Sequence, residues 1–185
     1  MKILAIADRP PSRPIPDILA EHDIDVIVTL GDLEMHQIRS LEAITDIPKL
    51  GVYGNHCSGK YFESLGIQNM HLNTVEVLGK TFGGFQGCVR YKESTYAIMY
   101  HQEEASEMIK DFPHVDVMLT HAPPYGVHDD VTEISHTGFL GLRDYVLAKQ
   151  PSYLLHGHTY PDTDRSFMGD TEVVYVQEDK VLELF

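Results

Sequence analysis

The residues of this chain that could do chemistry stand directly after short apolar runs, at five places along the sequence. The five are Asp8, Gly31-Asp32, Gly54-Asn55-His56, His121 and Gly157-His158. Because α/β proteins bind ligands outside the carboxyl ends of their strands, we expect these side chains to meet at one site. Carboxylate, carboxamide and imidazole groups together suit Zn²⁺, Mn²⁺ or Fe ions better than Ca²⁺. The pattern predicts a transition-metal site, although each residue alone is typical of a turn or cap or of a structural histidine.

Apolar runs that end at these residues predict the strands that position them. Buried strands are expected over 2–7, 25–30, 48–53, 115–120 and 152–155, with a hairpin over 73–78 and 80–85 and another strand over 95–100. Helices are expected over 16–21, 33–45, 60–64, 103–110 and 139–149, and the tail, 172–177 and 181–185, reads as a hairpin. About ten strands exceed one comfortable sheet for a chain of this length. We therefore predict an α/β (α+β) fold of two packed mixed β-sheets flanked by helices.

Composition restricts the function classes. The 185 residues carry a formal net charge of −14, which argues against an extended electrostatic grip on nucleic acid or on an anionic membrane. No linker-like or low-complexity stretch divides the chain, so we expect a single domain over 1–185. No apolar run approaches the length of a membrane span, and the two cysteines read as free thiols, so we expect a cytoplasmic protein.

The order of these motifs resembles the calcineurin-like metallophosphoesterase superfamily, in particular its small bacterial, archaeal and phage members. The resemblance runs from Asp8 to Thr159 and includes the stretches 120–126, 136–138 and 157–159. It implies a four-layer α-β-β-α sandwich and two metal ions side by side. By resemblance Asp32 bridges the two ions, and Asn55, His121 and His158 complete the ligands of one of them.

The chain departs from this superfamily at the other ion. That ion normally takes Asp8, a histidine two residues later and a histidine two residues after the Gly-His pair, but Pro10 and Tyr160 stand at these positions. We therefore expect one firmly bound divalent ion, with Asp8 and Asp32 holding a second one only weakly. Substitute ligands stay open at this point. The candidates are His36, His156, Asp162 and Asp164.

The resemblance implies hydrolysis of a phosphomonoester or phosphodiester by a metal-activated hydroxide, with Asn55 and His56 in the catalytic pair. His56 would protonate the leaving group, since histidine titrates near neutral pH. Cys57 replaces the acidic residue that commonly follows, which favours substrates with good leaving groups. The expected partner is a small phosphodiester or nucleotide, and homo-oligomerisation stays open.

Two further residues are candidates on the substrate side. Arg9 could reach a phosphate beside Asp8, or it could be a surface arginine in a proline-rich loop. His136 could support a ligand or contact substrate. The stretch His128-Asp129-Asp130 looks like a metal cluster but reads better as a solvated loop.

A rival interpretation comes from a different class of protein. With ligands eroded, the same fold can serve as a protein-binding scaffold that has little or no activity. The residues at Pro10 and Tyr160 favour the scaffold, whereas retention of Asn55, His56, His121 and His158 favours the enzyme. A dinucleotide-binding fold is set aside because no G-x-G-x-x-G follows the first strand.

Overall fold

A computed structural model describes residues 1–185 of the protein as two β-sheets with helices on their outer faces. The strands are β1 (Lys2–Ala7), β2 (Val26–Thr29), β3 (Lys49–Gly51), β4 (Gln68–Asn69), β5 (Thr74–Val77), β6 (Lys80–Phe85), β7 (Cys88–Val89), β8 (Met99–Tyr100), β9 (Val117–Thr120), β10 (Tyr153–His156), β11 (Arg165–Met168), β12 (Thr171–Tyr175) and β13 (Glu178–Glu183). The α-helices are α1 (Ile15–Glu21), α2 (Gln102–Ile109) and α3 (Leu140–Lys149), and 3-10 segments occupy Met35–Ala43, Glu63–Leu65 and Ile134–His136. None of these helices combines the length and apolarity that crossing a bilayer requires.

Both large sheets are mixed, as the sequence predicts. The first has the order β13-β1-β2-β3-β4 and is parallel except at β13. The second has the order β11-β12-β10-β9-β6-β5, with four parallel central strands and an antiparallel strand at each edge. Strands β7 and β8 form a small parallel pair. The parallel strands carry the candidate residues, so their carboxyl ends bring these residues to one edge of each sheet.

Residues of β1 show how the sheets are layered. Ile3, Ala5 and Ala7 join a buried cluster shared with β9, β10 and β12 of the second sheet, so they lie between the two sheets. Leu4 and Ile6 point the other way and pack with α1 and the 3-10 segment Met35–Ala43. Because both faces of the strand are covered, its sequence is a continuous apolar run without polar alternation.

The second sheet is covered on its outer face in the same way. Met118, Leu154 and Val173, from three of its four central strands, pack in one buried cluster with residues of α2 and α3. The order of layers is therefore helix, sheet, sheet, helix, which confirms the predicted sandwich.

The prediction that the tail forms a hairpin is wrong. Strand β12 pairs with β10 and β11 in the second sheet, whereas β13 pairs with β1 in the first. The chain changes sheets across Val176-Gln177, and Glu178 adopts a positive φ of 60°. Two apolar runs separated by a few polar residues look alike whether they pair with each other or with different sheets, so the local pattern could not reveal this crossover.

Several other elements differ from the expectation. The segment predicted as a helix over 33–45 is a 3-10 segment interrupted at Ile38, and the strand predicted over 95–100 shrinks to Met99–Tyr100. The helix predicted over 60–64 is the 3-10 turn Glu63–Leu65, and strands β4, β7 and β11 were not predicted. The Lys49 ammonium donates to the carbonyl oxygens of Leu41 and Ile44, at 2.6 and 2.5 Å, and thereby satisfies the end of the interrupted segment. A tertiary contact of this kind overrides local helix propensity.

The core between the sheets gives a stability prediction. Phe82 is fully buried there, so Phe82→Ala should lower the free energy of unfolding by about 3–5 kcal/mol in urea denaturation. The matched control is Phe167→Ala, because Phe167 is 67% exposed on the edge strand β11 and its loss should cost less than about 0.5 kcal/mol. Equal losses in the two variants would contradict the layer arrangement.

Candidate metal centre

Five strand ends deliver the predicted residues to one place. In the first sheet Asp8 follows β1, Asp32 follows β2 and Asn55 follows β3. In the second sheet His121 follows β9, and His158 comes two residues after β10. Hydrogen bonds join the two groups, since the backbone N–H of His158 donates to Asp8 Oδ2 at 2.8 Å. The two sheets therefore share one site at their carboxyl edges.

Asp32, His121 and His158 form a group that could hold a metal ion. One potential ligand atom from each residue lies within 4.8 Å of the others. Asn55 joins them, because its Oδ1 lies 2.9 Å from His121 Nε2, and Asp32 Oδ2 lies 3.5 Å from the same nitrogen. One carboxylate, two imidazoles and one carboxamide are a donor set that suits a divalent transition metal.

The orientation of the His121 ring tests whether these residues fit a cation. Its Nδ1–H donates to the carbonyl oxygen of Leu30 at 2.8 Å, which leaves Nε2 facing Asn55 Oδ1 and Asp32. A neutral ring with this tautomer would place two acceptors, Nε2 and Oδ1, 2.9 Å apart. A cation between them, either a second proton on the ring or a metal ion, would satisfy both acceptors. The site fits a cation.

The pKa values of His121 and Asp32 in the metal-free protein also favour a positive charge at this position. Burial by itself would lower the pKa of His121, but the carboxylates of Asp32 and Asp8 and the Leu30 carbonyl outweigh it and raise that pKa to about 9. Burial by itself would raise the pKa of Asp32, but His121 and the His56 backbone N–H outweigh it and lower that pKa to about 2. Asp32 and His121 thus form a buried ion pair whose proton occupies the place that a metal would take.

His158 is already suited to be a ligand. Burial lowers its pKa to about 3, so the imidazole is neutral near pH 7. Its Nε2–H donates to the Ser135 carbonyl at 2.6 Å, which leaves the lone pair on Nδ1. Burial raises the pKa of Asp8 to about 6, and Asp8 accepts the His158 backbone N–H. Asp8 therefore positions the loop that carries His158.

Close backbone approach makes two glycines necessary. Gly31 has a φ of +99°, and a Cβ there would lie 2.5 Å from both His121 Nδ1 and the Gly54 nitrogen. A Cβ on Gly54 would lie 2.2 Å from Asp32 Oδ1. Side chains at these positions would push His121 and Asp32 out of place, so the glycines that precede the ligands serve packing as well as turning.

The centre opens into a cleft of about 400 Å³. Its lining residues are Asp8, Asp32, Leu33, Glu34, Gln37, His56, His136, His158 and Tyr160. His56 is exposed on the rim, and its backbone N–H donates to Asp32 Oδ1 at 2.8 Å. The ring centroid of His136 lies 5.6 Å from that of His158, in an edge-on arrangement. Both histidines can reach a ligand in the cleft.

Arg9 and the two replaced positions lie differently. Arg9 Nη1 stands 3.9 Å from Glu178 Oε1, and Arg9 does not line the cleft. Pro10 is exposed, and Tyr160 lines the cleft with its side chain 61% exposed. Tyr160 stacks edge-on against His136 with centroids 6.1 Å apart.

The four residues considered as substitute metal ligands make contacts outside the metal centre. His36 pairs with Glu34, and the Asp164 carboxylate binds Lys180. His156 Nδ1–H donates to the Gly157 carbonyl, and its Nε2 contacts His128 Nδ1 at 2.9 Å. Asp162 lines a neighbouring cleft. None of these four residues lines the cleft that contains Asp8.

The stretch 128–130 is an irregular loop, as predicted, but only Asp130 is exposed. His128 is half-buried, and its Nε2 contacts Ser166 Oγ at 2.8 Å while its Nδ1 contacts His156. The Asp129 carboxylate accepts the backbone N–H groups of Gly126 and Gly138. His128 and Asp129 therefore hold this loop in place beside the centre, and they are not in the group of potential metal ligands.

The Cys57 thiol makes its hydrogen bonds with Gly54, Leu33 and Tyr61. Its buried Sγ accepts the Gly54 N–H at 3.3 Å and contacts the Tyr61 hydroxyl at 3.4 Å. Burial raises the pKa of the Cys57 thiol, so it stays neutral. The side chain that follows Asn55-His56 therefore belongs to the packing of the first sheet.

The sequence did not identify four further groups of this region. Glu34 and Gln37 line the cleft, and their position just after Gly31-Asp32 was the available signal. The carbonyls of Leu30 and Ser135 orient the two ligand histidines, and backbone groups leave no sequence signal of this kind.

Comparison with known proteins supports the fold alone. No family model matches the chain, and no curated protein matches it. One solved structure superposes with a TM-score of 0.68 at 17% identity over 94% of this chain and 89% of that one. The protein TT1561 of Thermus thermophilus gives 0.61 at 16% over 94% and 88%, and a hypothetical protein from the same organism gives 0.55 at 18% over 95% and 75%. These neighbours share the α/β architecture of the chain.

The Asp32–His121 pair gives a pH prediction for the metal-free protein. The pKa of His121 lies above its ordinary value of 6.5, so its protonation favours the folded state fully below about pH 6.5, and this stabilisation is lost as pH rises through about 9. In chelator, the free energy of unfolding should fall between about pH 7 and about pH 9, and His121→Gln should flatten that slope.

The matched control is His158→Gln. The pKa of His158 is about 3, so both its folded and its unfolded forms are neutral across this window and the slope should persist. An equal slope in His121→Gln and the unmodified protein would contradict the ion pair.

Proposed function

We propose that this protein is a metal-dependent phosphoesterase of the calcineurin-like class, acting on small phosphodiesters or nucleotides. The observation that carries the proposal is the convergence of Asp32, His121 and His158 within 4.8 Å, with Asn55 beside them. His56 stands on the rim of the same cleft. A buried cation site next to an exposed histidine is an arrangement that supports phosphoester hydrolysis.

Asp32, Asn55, His121 and His158 would hold one divalent transition metal such as Mn²⁺, Fe or Zn²⁺. When bound, the ion supplies Lewis-acid charge to the phosphoryl oxygens and acidifies water. His121 would give up its second proton on ligating the ion, so metal binding would be coupled to proton release. A second ion would have only Asp8 and Asp32 from this chain, because Pro10 and Tyr160 replace the histidines.

The chain's own groups would handle substrate and protons. His56 would donate a proton to the leaving oxygen, since it is exposed on the rim and its backbone is fixed by Asp32. His136 lies across the cleft and can donate to a phosphoryl oxygen. Arg9 could reach a phosphate only by leaving Glu178, so it supports binding less directly.

The scaffold is the second candidate function. It is favoured by the replaced positions at Pro10 and Tyr160 and by the burial of Cys57 where an acidic residue would orient His56. A protein-binding member would keep the fold and need no metal. The two candidates differ in whether the centre retains an ion.

Metal stoichiometry separates these candidates. After Mn²⁺ loading and desalting, we expect about one ion per chain by elemental analysis, and Asp32→Ala or His158→Ala should abolish retention. His22→Ala, at the end of α1, is the control and should retain the ion. Two ions per chain would indicate further ligands, and no ion under any condition would leave the scaffold as the remaining candidate.

His56 is tested by leaving-group chemistry. His56→Ala should lower kcat by about 100-fold or more for an alkyl phosphodiester, whose alkoxide needs a proton, and much less for a 4-nitrophenyl diester, whose anion leaves unaided. Retained Mn²⁺ in the variant shows that the centre is intact. Unchanged hydrolysis of the alkyl ester would remove His56 from the proposed mechanism.

A further inference from the structure

A second cleft adjoins the cleft of the metal centre at His56. It has a volume of about 470 Å³. Its lining residues are Asn55, His56, Cys57, Ser58, Lys60, Lys92, Ser94, Tyr96 and Ala97. The two clefts share His56, the residue proposed to protonate the leaving oxygen. The second cleft is therefore where a leaving group would extend.

The charge of this cleft is opposite to that of the chain. The protein carries a formal net charge of −14, yet Lys60 and Lys92 line the cleft and no carboxylate does. Glu93 follows Lys92 in the chain but is not among the lining residues. The lysines that form ion pairs are others, namely Lys2, Lys80, Lys110 and Lys180. Two ammonium groups without carboxylate partners favour an anion in the cleft.

A buried donor points to the same conclusion. Asn55 is 2% exposed, its Oδ1 is engaged with His121, and its Nδ2 has no hydrogen-bond partner. An unpartnered buried N–H group costs free energy unless a ligand satisfies it. Asn55 lines this cleft and also contacts His121, so it links the metal centre to the cleft of the two lysines.

The opposite side of the metal centre is acidic. A cleft of about 650 Å³ there shares His136 and Tyr160 with the central cleft and is lined by Asp129, Asp130 and Asp162, with no lysine or arginine. The site is therefore polarised, with carboxylates on the His136 side and ammonium groups on the His56 side. This polarity would orient a substrate that has unequal charge at its two ends.

We propose that the cleft of Lys60 and Lys92 binds a leaving group that carries its own negative charge, such as a second phosphate. This inference rests on the proposed phosphoesterase function and names its substrate class, a phosphodiester or diphosphate with an anionic leaving group. In the reaction, the oxygen of water bonds to phosphorus, and the bond from phosphorus to the leaving oxygen breaks. That oxygen takes its proton from His56, and the proton lost by water passes to solvent.

The test uses two substrates that differ only in the leaving group. They are methyl 4-nitrophenyl phosphate and its analogue with one carboxylate on the nitrophenyl ring. The quantity compared is kcat/KM for the charged substrate divided by kcat/KM for the neutral one. This ratio should fall about tenfold in the double variant Lys60→Ala, Lys92→Ala. In the unmodified protein it should rise as the ionic strength is lowered. Lys149→Ala is the matched control, because Lys149 lies at the end of α3 and lines neither cleft.

An unchanged ratio in the double variant, with the neutral substrate still hydrolysed, would overturn this inference and leave the phosphoesterase proposal standing. Hydrolysis of neither substrate by the Mn²⁺-loaded protein would instead count against the phosphoesterase proposal. In that case, the binding of adenosine 5′-monophosphate, measured by calorimetry, tests the anion site in this cleft independently of hydrolysis. Binding that weakens about tenfold in the double variant, and not in Lys149→Ala, supports an anion site. Absent or unchanged binding overturns it.

Discussion

The hydrogen bond from His121 to the carbonyl oxygen of Leu30 connects the two sheets at the edge where all the candidate residues meet. It joins the end of β9 to the end of β2 across the interface, and it selects which ring nitrogen faces Asp32 and Asn55. The bond exists only because Gly31 has no side chain, since a Cβ would lie 2.5 Å from His121 Nδ1. The packing of the sandwich and the chemistry of the centre therefore rest on the same contact.

The sequence predicts those parts of the site that are local. Each ligand candidate is marked by an apolar run and, at three of the five places, by a glycine, so their strand-end positions could be inferred without a structure. The two mixed sheets follow from the number of strands and their burial. The final crossover could not be inferred, because the pairing of β13 with β1 joins residues more than 170 positions apart and leaves no local signal.

Other parts of the site depend on how loops fold back. Lys60 and Lys92 are 32 positions apart and have ordinary surface surroundings in the sequence, yet they line one cleft with His56. His128 looks like part of a metal cluster beside two aspartates, but its contacts with His156 and Ser166 make it a brace. Spacing along the chain identifies the site residues that follow strands, and it does not identify the site residues that long loops bring together.

Asp8 has a structural role at the centre that does not depend on a second metal ion. Its carboxylate accepts the backbone N–H of His158 and so keeps a candidate metal ligand in place, whatever it binds itself. Pro10 and Tyr160 have no such task, and both side chains are exposed. The buried Asp32–His121 pair argues further against a pure scaffold. Burying two charges costs more desolvation energy than an apolar pair would, so a chain selected for binding proteins alone would gain stability by losing it.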